Sequence, residues 1–376
     1  MAEPAARRLR IVAFGTFDVR SHPRVAVLLE GLAEHGHEVL ICNVPLGLDT
    51  SWRVRMLRAP WLLPVLAVRL LAAWARLAVR AGVVRRRLGG APDAVLVGYL
   101  GHFDVHLARR LFRGVPVLLD HLISASDTAR DRGVEHGLVD RLLQRLDQAA
   151  VRAADVVFVD TVEHLELLPA DVAPSAAVVP VGAPAGWFFQ PVARPPRDPL
   201  RVVFFGLYTP LQGAPVLGEA LRLLAAEGLP VDVTMIGRGQ DLPATRAASA
   251  ANPRVRWLEW VDSARLPTLV AEHDVCLGIF GTGPKARRVV PNKVVQGAAA
   301  GCAIVTSDTA PQRAALADAA HYVAPGDPAA LAAALATLCR DRARVEALRR
   351  AAHERAATAF SPAASVVPLL ARLEQA

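Results

Sequence analysis

Short apolar runs of strand length recur along the chain, each closed by glycine, proline or a small polar cluster. In the first half they are Leu9–Phe14, Val39–Cys42, Ala94–Val97, Val115–Leu119, Val156–Val159 and Ala177–Pro180. In the second half they are Arg201–Phe205, Val231–Ile236, Val255–Leu258, Val275–Ile279 and Ala303–Thr306. Continuous apolar runs fit strands buried on both faces. Helix-period stretches lie between them: 25–35 after His22-Pro23-Arg24, 216–224, 331–338, 344–358 and 361–373. Strand, glycine-bearing loop, helix, strand is the parallel βαβ unit. The pattern predicts an α/β chain of two doubly wound parallel-sheet domains. The boundaries are 1–185 for the first domain, 186–199 for a Pro-rich linker and 200–358 for the second. A last helix over 359–376 has the option of crossing back to the first domain.

At 376 residues two domains are the better expectation, and 53% hydrophobic against 21% charged residues excludes a disordered chain. The formal net charge is +8, yet nine arginines lie between Ser51 and Pro92, where no Asp or Glu occurs, so the rest of the chain stands at −1. One basic segment, with few aromatic residues, does not make a nucleic-acid binder. Cys42, Cys276, Cys302 and Cys339 form no CxxC pair. That reads as a reducing, cytoplasmic compartment and no structural metal. No run of about 20 apolar residues is present to span a membrane.

The basic segment has helical periodicity from Val65 onward. At about 100° per residue, Arg69, Arg76, Arg80 and Arg87 share a narrow arc, and Leu66, Leu70, Trp74 and Leu77 form an apolar side. Two readings stand. With Trp74 on the apolar side and Arg69, Arg76 and Arg80 beside it, the helix suits an anionic membrane surface at the inner face of the cell membrane. Alternatively, the apolar side packs on the first domain and the arginines are solvated.

In doubly wound domains ligands bind where loops leave the C-terminal ends of strands. Gly15, Thr16, Asp18 and Arg20 follow the first strand and either line such a site or form a solvated turn. Asp120 and His121 end another strand, followed by Ser124, Ser126 and Asp127, as a functional cluster or a helix cap. His102 and His106 read as surface or satisfied histidines. In the second half, LGIFGTGPKARRVVPNKVVQGAAAGCAIVTSDTAP runs strand, glycine loop, helix, strand, with Pro291 able to open the helix and Gly301 to close it. Backbone N–H groups at the helix start, with Lys285, Arg287, Arg288 and Lys293, would hold a nucleotide diphosphate. The lone GxG at Gly237–Gly239 lacks the third glycine of a dinucleotide fingerprint. P-loop, GxSxG and Asp-x-Asp motifs are absent, and Phe103 follows His102 where a zinc protease would place Glu.

From these residues the chain resembles the GT-B glycosyltransferases, and its second half is similar to the retaining glycosyltransferase family 4. The matching pieces are FFGLYTPLQG, TMIGRGQ, VRWLEWVDSARLPTLVAEHDVCLGIFG, PNKVVQGAAAGCAIVTSDTAP and HYVAPGDPAALAAAL. The first half matches through its opening loop, the GHEV turn at Gly36–Val39 and the strand end at His121. The resemblance implies two Rossmann-like domains facing a cleft, with the acceptor on the N-terminal domain and the sugar nucleotide on the C-terminal one.

Carried over residue by residue, the resemblance makes His121 the cleft histidine, with Asp120 and Lys293 the other catalytic candidates. Sugar-nucleotide contacts fall on Gly206, Thr209, Gln212, Gly237, Arg238, Gly281, Thr282, Gly283, Pro291 and Asn292, with Trp260 and Val261 near the base. The family's diphosphate clamp of Arg and Lys is replaced here by Leu207 and Gln212, so Lys285, Arg287, Arg288 and Lys293 are expected to supply that charge. The family's paired glutamates fall on Arg288 and Gln296. Transfer with retention follows a front-face displacement, and the two-carboxylate logic of glycosidases does not apply. Partners would be a nucleotide sugar as donor, with no metal or other cofactor, and an acceptor glycan, lipid-linked sugar or small molecule. Cell-surface polysaccharide or glycolipid assembly would suit the basic helix. The alternatives are transfer to a soluble metabolite, a sugar-nucleotide epimerase and a degenerate nucleotide-sugar-binding protein.

Overall fold

The computed structural model describes residues 7–18, 22–47, 60–122, 124–133, 137–189 and 198–375. The chain divides into two compact units, Met1–Pro180 with Pro362–Ala376, and Val181–Ser361.

The first unit holds a six-stranded sheet in the order β2-β1-β3-β4-β5-β6. Its strands are β1 (Arg10–Gly15), β2 (Glu38–Asn43), β3 (Ala94–Val97), β4 (Val117–Asp120), β5 (Val156–Val159) and β6 (Ala177–Val178), all paired in parallel. The helices are α1 (Pro23–Glu34), α2 (Leu63–Leu88), α3 (Asp104–Leu111), α4 (Ala125–Asp131), α5 (Leu138–Ala153) and α6 (Val162–Leu165).

The second unit repeats the plan in the order β12-β11-β10-β7-β8-β9. Its strands are β7 (Leu200–Phe205), β8 (Val231–Ile236), β9 (Val255–Leu258), β10 (Val275–Leu277), β11 (Ala303–Ser307) and β12 (His321–Val323). Around it lie α7 (Ala214–Ala226), α8 (Leu242–Ala248), α9 (Leu266–Ala271), α10 (Asn292–Ala299), α11 (Ala310–Leu316), α12 (Pro328–Arg340) and α13 (Arg342–Ala359). The final helix, α14 (Pro362–Leu373), belongs to the first unit, where it packs on α1.

Strand alternation sorts the first unit's core into two layers. Ile11, Leu96, Leu118 and Phe158 pack with Leu28 and Leu32 of α1 and Val366 and Leu369 of α14. Val12, Phe14, Val95, Val117 and Val157 pack with Ala73, Leu77 and Ala81 of α2, Val105 and Ala108 of α3, and Ala150 and Val151 of α5. Of the two readings of α2, the Trp74 side follows the packed one. Leu77 is fully buried, Trp74 packs against the same core layer, and the Trp74 indole N–H donates to Asp104 Oδ1 at 2.9 Å. The apolar side that contains Trp74 is therefore turned to the sheet. Helix α2 begins earlier than its periodicity suggests because Pro64 sits in the first turn, which needs no N–H there.

Two further differences have local causes. The strand expected over Val275–Ile279 ends at Leu277, and Thr306 Oγ1 receives the Ile279 N–H. The proline-rich stretch is not linker throughout. Val181 already belongs to the second unit, and Trp187 is buried against Phe205 with ring centroids 5.7 Å apart. Residues 190–197, Arg20, and the arginines at 53, 55 and 58 lie outside the described residues.

Candidate active site

Three loops of the second unit meet backbone to backbone at the C-terminal edge of its sheet. A side-chain carbon on Gly213 would lie 2.3 Å from the Phe280 carbonyl carbon, and one on Gly281 would lie 2.5 Å from the Leu211 oxygen. The loop after β7 thereby presses on the loop after β10, which only glycines permit. The loop after β8 joins them, with the Tyr208 N–H donating to the Arg238 carbonyl at 3.0 Å.

Lys293 reaches into this junction from the first turn of α10. Its side chain runs under Gly206, where φ is +139° and a side-chain carbon would stand 3.2 Å from Nζ. The ammonium lies 3.6 Å from the centre of the Phe204 ring and donates to Oε1 of Gln212. Lys293 is 6% exposed, and no carboxylate pairs with it among the described residues. Burial pulls its pKa down to about 7. A cation in a helix's first turn also opposes the helix dipole. A buried cation in that position is poised for an anion.

The other expected cations are placed differently. Arg287 is exposed, and Lys285 and Arg288 are half-buried in the turn before α10. Of the four, only Lys293 is buried beneath the glycine loop. Thr209 and Gln296 are buried nearby in sequence, on the loop after β7 and on α10. Pro291 takes the extended N-cap conformation, and Asn292 begins the helix. Thr282 and Gly283 are exposed, and Val261 is half-buried. Gly237 follows β8 directly, and a side-chain carbon there would overlap the Gly206 oxygen. Beyond it, the Arg238 guanidinium lies 5.6 Å over the exposed Trp260 ring, a flat platform of the size of a base.

The first unit gathers its polar groups at the same edge of its own sheet. Gly15 and Thr16 leave β1, and Asp104 Oδ2 accepts from the Thr16 N–H at 2.7 Å and its hydroxyl at 2.8 Å. Burial raises the Asp104 pKa against the effect of these bonds. Asp18 is half-buried in the same loop. Asp120, a catalytic candidate from its place at a strand end, is held in a buried ion pair. Its Oδ1 accepts from Arg24 Nε at 2.8 Å, both side chains being buried. Arg24 also donates to the carbonyls of Val179 and Pro180 at 2.9 and 3.1 Å, so the pair pins α1 to the strand ends.

His121 stands beside that lock with its ring edge-on to His102, centroids 5.5 Å apart. Burial first, then the neighbouring His102, lowers its pKa to about 4, so the imidazole is neutral at pH 7. His102 Nε2 lies 3.0 Å from Asp147 Oδ1. Asp147 also accepts from the Ser124 and Ser126 hydroxyls at 2.7 and 2.9 Å and from the Ala125 N–H at 2.8 Å. Burial opposes ionisation, but the His102 contact first, and then the Ala125 and Ser124 bonds, hold the Asp147 carboxyl well below the usual carboxylate range. Asp147 went unnoticed in the sequence. The signal was there, because it shares the buried face of α5 with Ala150 and Val151 at helical spacing. Among the described residues no group of three His, Cys, Asp or Glu is placed to hold a metal ion.

Two six-stranded parallel sheets with glycine loops at their C-terminal edges define the GT-B class of glycosyltransferases, and this chain has that fold. Residues 199–341 match the family described as Glycosyl transferases group 1, so the chain carries a glycosyltransferase domain and is a glycosyltransferase. Among solved structures, sucrose-phosphate synthase from Thermosynechococcus elongatus is similar with a TM-score of 0.70 at 14% identity, covering 98% of this chain and 99% of that one. The UDP-forming α,α-trehalose-phosphate synthase from Burkholderia xenovorans has a TM-score of 0.65 at 14% identity, covering 98% of each chain. Anabaena HepE in complex with UDP-glucose has a TM-score of 0.64 at 14% identity, covering 98% of this chain and 100% of that one. At such identities the likeness is one of fold. No curated protein sequence matches the chain.

Proposed function

We propose that the protein moves a sugar from a nucleoside diphosphate sugar onto an acceptor hydroxyl, with retention at the transferred carbon. The observation that carries this reading is Lys293, a buried cation under the Gly206 turn with a neutral Gln212 beside it. As the sugar–phosphate bond breaks, negative charge grows on the leaving diphosphate. A preorganised cation in a dry site stabilises that charge strongly. The departing phosphate takes the acceptor proton on the same face. The reading needs no metal, because Lys293 supplies the charge. The Arg238–Trp260 platform would carry the base, and UDP is the preferred nucleotide because Anabaena HepE was solved with UDP-glucose.

The acceptor is a glycan or lipid-linked sugar of cell-surface polysaccharide or glycolipid assembly, reached from the cytoplasmic face of a membrane. The arginine-rich helix α2 supports that choice over a soluble metabolite. An epimerase would need a carboxylate acid and base, and Asp120 is tied up with Arg24. Release of UDP from UDP-glucose, dependent on an added acceptor, tests the reading. Formation of an isomeric sugar nucleotide without acceptor would favour the epimerase, and tight UDP binding with no turnover would favour a binding protein.

A further inference from the structure

Helix α2 has a second apolar face. One side packs on the sheet through Ala73, Leu77, Ala81 and Val84. The opposite side carries Val65, Val68, Leu71, Val79 and Val83, all exposed, with Val68 at 67% and Val79 at 71%. Trp61, in the turn that leads into the helix, is 75% exposed. At about 100° per residue, Val65, Val68, Val79 and Val83 fall within an arc roughly 60° wide, away from the buried side. Arg69 and Arg76 lie along one flank of that arc, both exposed. No acidic residue occurs between Ser51 and Pro92.

A solvated helix face would be polar, and a cluster of large exposed apolar side chains marks a contact surface. The charges select the occupant. A second copy docked face to face would set arginine against arginine. An anionic bilayer offers headgroups to the arginines and an acyl boundary to the valines, with Trp61 at a depth where indoles collect. We propose that the outward face of α2, and not the Trp74 side, seats the protein on anionic phospholipid, with Val68, Leu71 and Val79 inserted and Arg69 and Arg76 at the headgroups. This rests on the reading of a membrane-borne acceptor and names the surface that reaches it.

The test is flotation of the full chain with phosphatidylcholine vesicles, with and without phosphatidylglycerol. Binding should require the anionic lipid and weaken as salt rises. Arg69→Gln/Arg76→Gln should lower it by roughly fivefold per arginine. Val68→Ser/Leu71→Ser/Val79→Ser should abolish insertion while leaving the thermal midpoint and UDP binding unchanged, because these side chains are exposed on α2. Absence of binding to anionic vesicles, binding indifferent to both variants, or a dimer that the serine variant turns into monomer would each overturn the proposal. Chain that floats with vesicles but turns over no sugar nucleotide would overturn the transfer reading alone.

Discussion

The ammonium of Lys293 and the side-chain carbonyl of Gln212 meet beneath the turn at Gly206, joining the start of α10 to the loop after β7. The resemblance places a loop lysine at the position of Gln212. Here the cation comes from the helix and ends at the same spot.

Moving the charge back should therefore be tolerated. Lys293→Gln should lower turnover about 10²- to 10³-fold, the usual loss when one group stabilising a developing anion is removed. Gln212→Lys/Lys293→Gln should recover at least about tenfold of that loss, because the loop lysine restores the same point charge. UDP release measures both. A double variant no better than Lys293→Gln would mean that Lys293 acts through its helix position and not through its charge.

The lowered pKa of Lys293 makes donor binding pH-dependent. Its charge is present below about 7 and fades above it, so UDP affinity should fall as pH rises beyond 7, by at most about tenfold per unit. Calorimetry in buffers of different ionisation enthalpy should show proton uptake on binding above pH 7, and Lys293→Arg should show none. The sign for stability is the reverse. Between pH 7 and 10.5 the unfolded chain holds a proton on Lys293 that the folded, ligand-free protein lacks. This contribution therefore stabilises the ligand-free fold as pH rises through that window.

The buried pair Arg24–Asp120 ties α1 to the strand ends of the first unit. Arg24→Met should cost about 3–5 kcal/mol by leaving Asp120 buried and unpaired. Arg24→Met/Asp120→Leu should recover much of this in urea unfolding. UDP binding should be unchanged in both variants, since the expected contacts belong to the second unit.

His121 reports on its neighbour. His102→Phe removes the imidazole that helps to depress its pKa and leaves the charge of Asp147 to act in the opposite direction. The NMR titration of His121 should then move up from about 4 towards its ordinary 6.5, staying below it because burial remains. No movement would assign the whole depression to burial.

What could be read from the sequence followed a physical divide. Strands such as Ala94–Val97, Val156–Val159 and Val231–Ile236 are buried on both faces, and their unbroken apolar runs say so directly. Edge strand β12 escaped notice because His321 and Tyr322 give three residues no such run. Lys293 was legible as a cation near a glycine loop. Its burial was not, because that depends on Phe204 and Gly206, which lie far away in sequence. Helix α2 left two readings open for a related reason. Both of its sides are apolar, and periodicity cannot tell which of two apolar sides meets the sheet.

The closing helix α14 leans on α1 so tightly that a side-chain carbon on Gly31 would overlap the Pro362 oxygen. Leu28 and Leu32 thus wait for partners, Val366 and Leu369, synthesised more than 300 residues later. During translation the amino-terminal half emerges first yet reaches its final packing last, after residues 362–373 have left the ribosome. The intervening unit, whose own strands and helices are contiguous in sequence, is free to fold ahead of it.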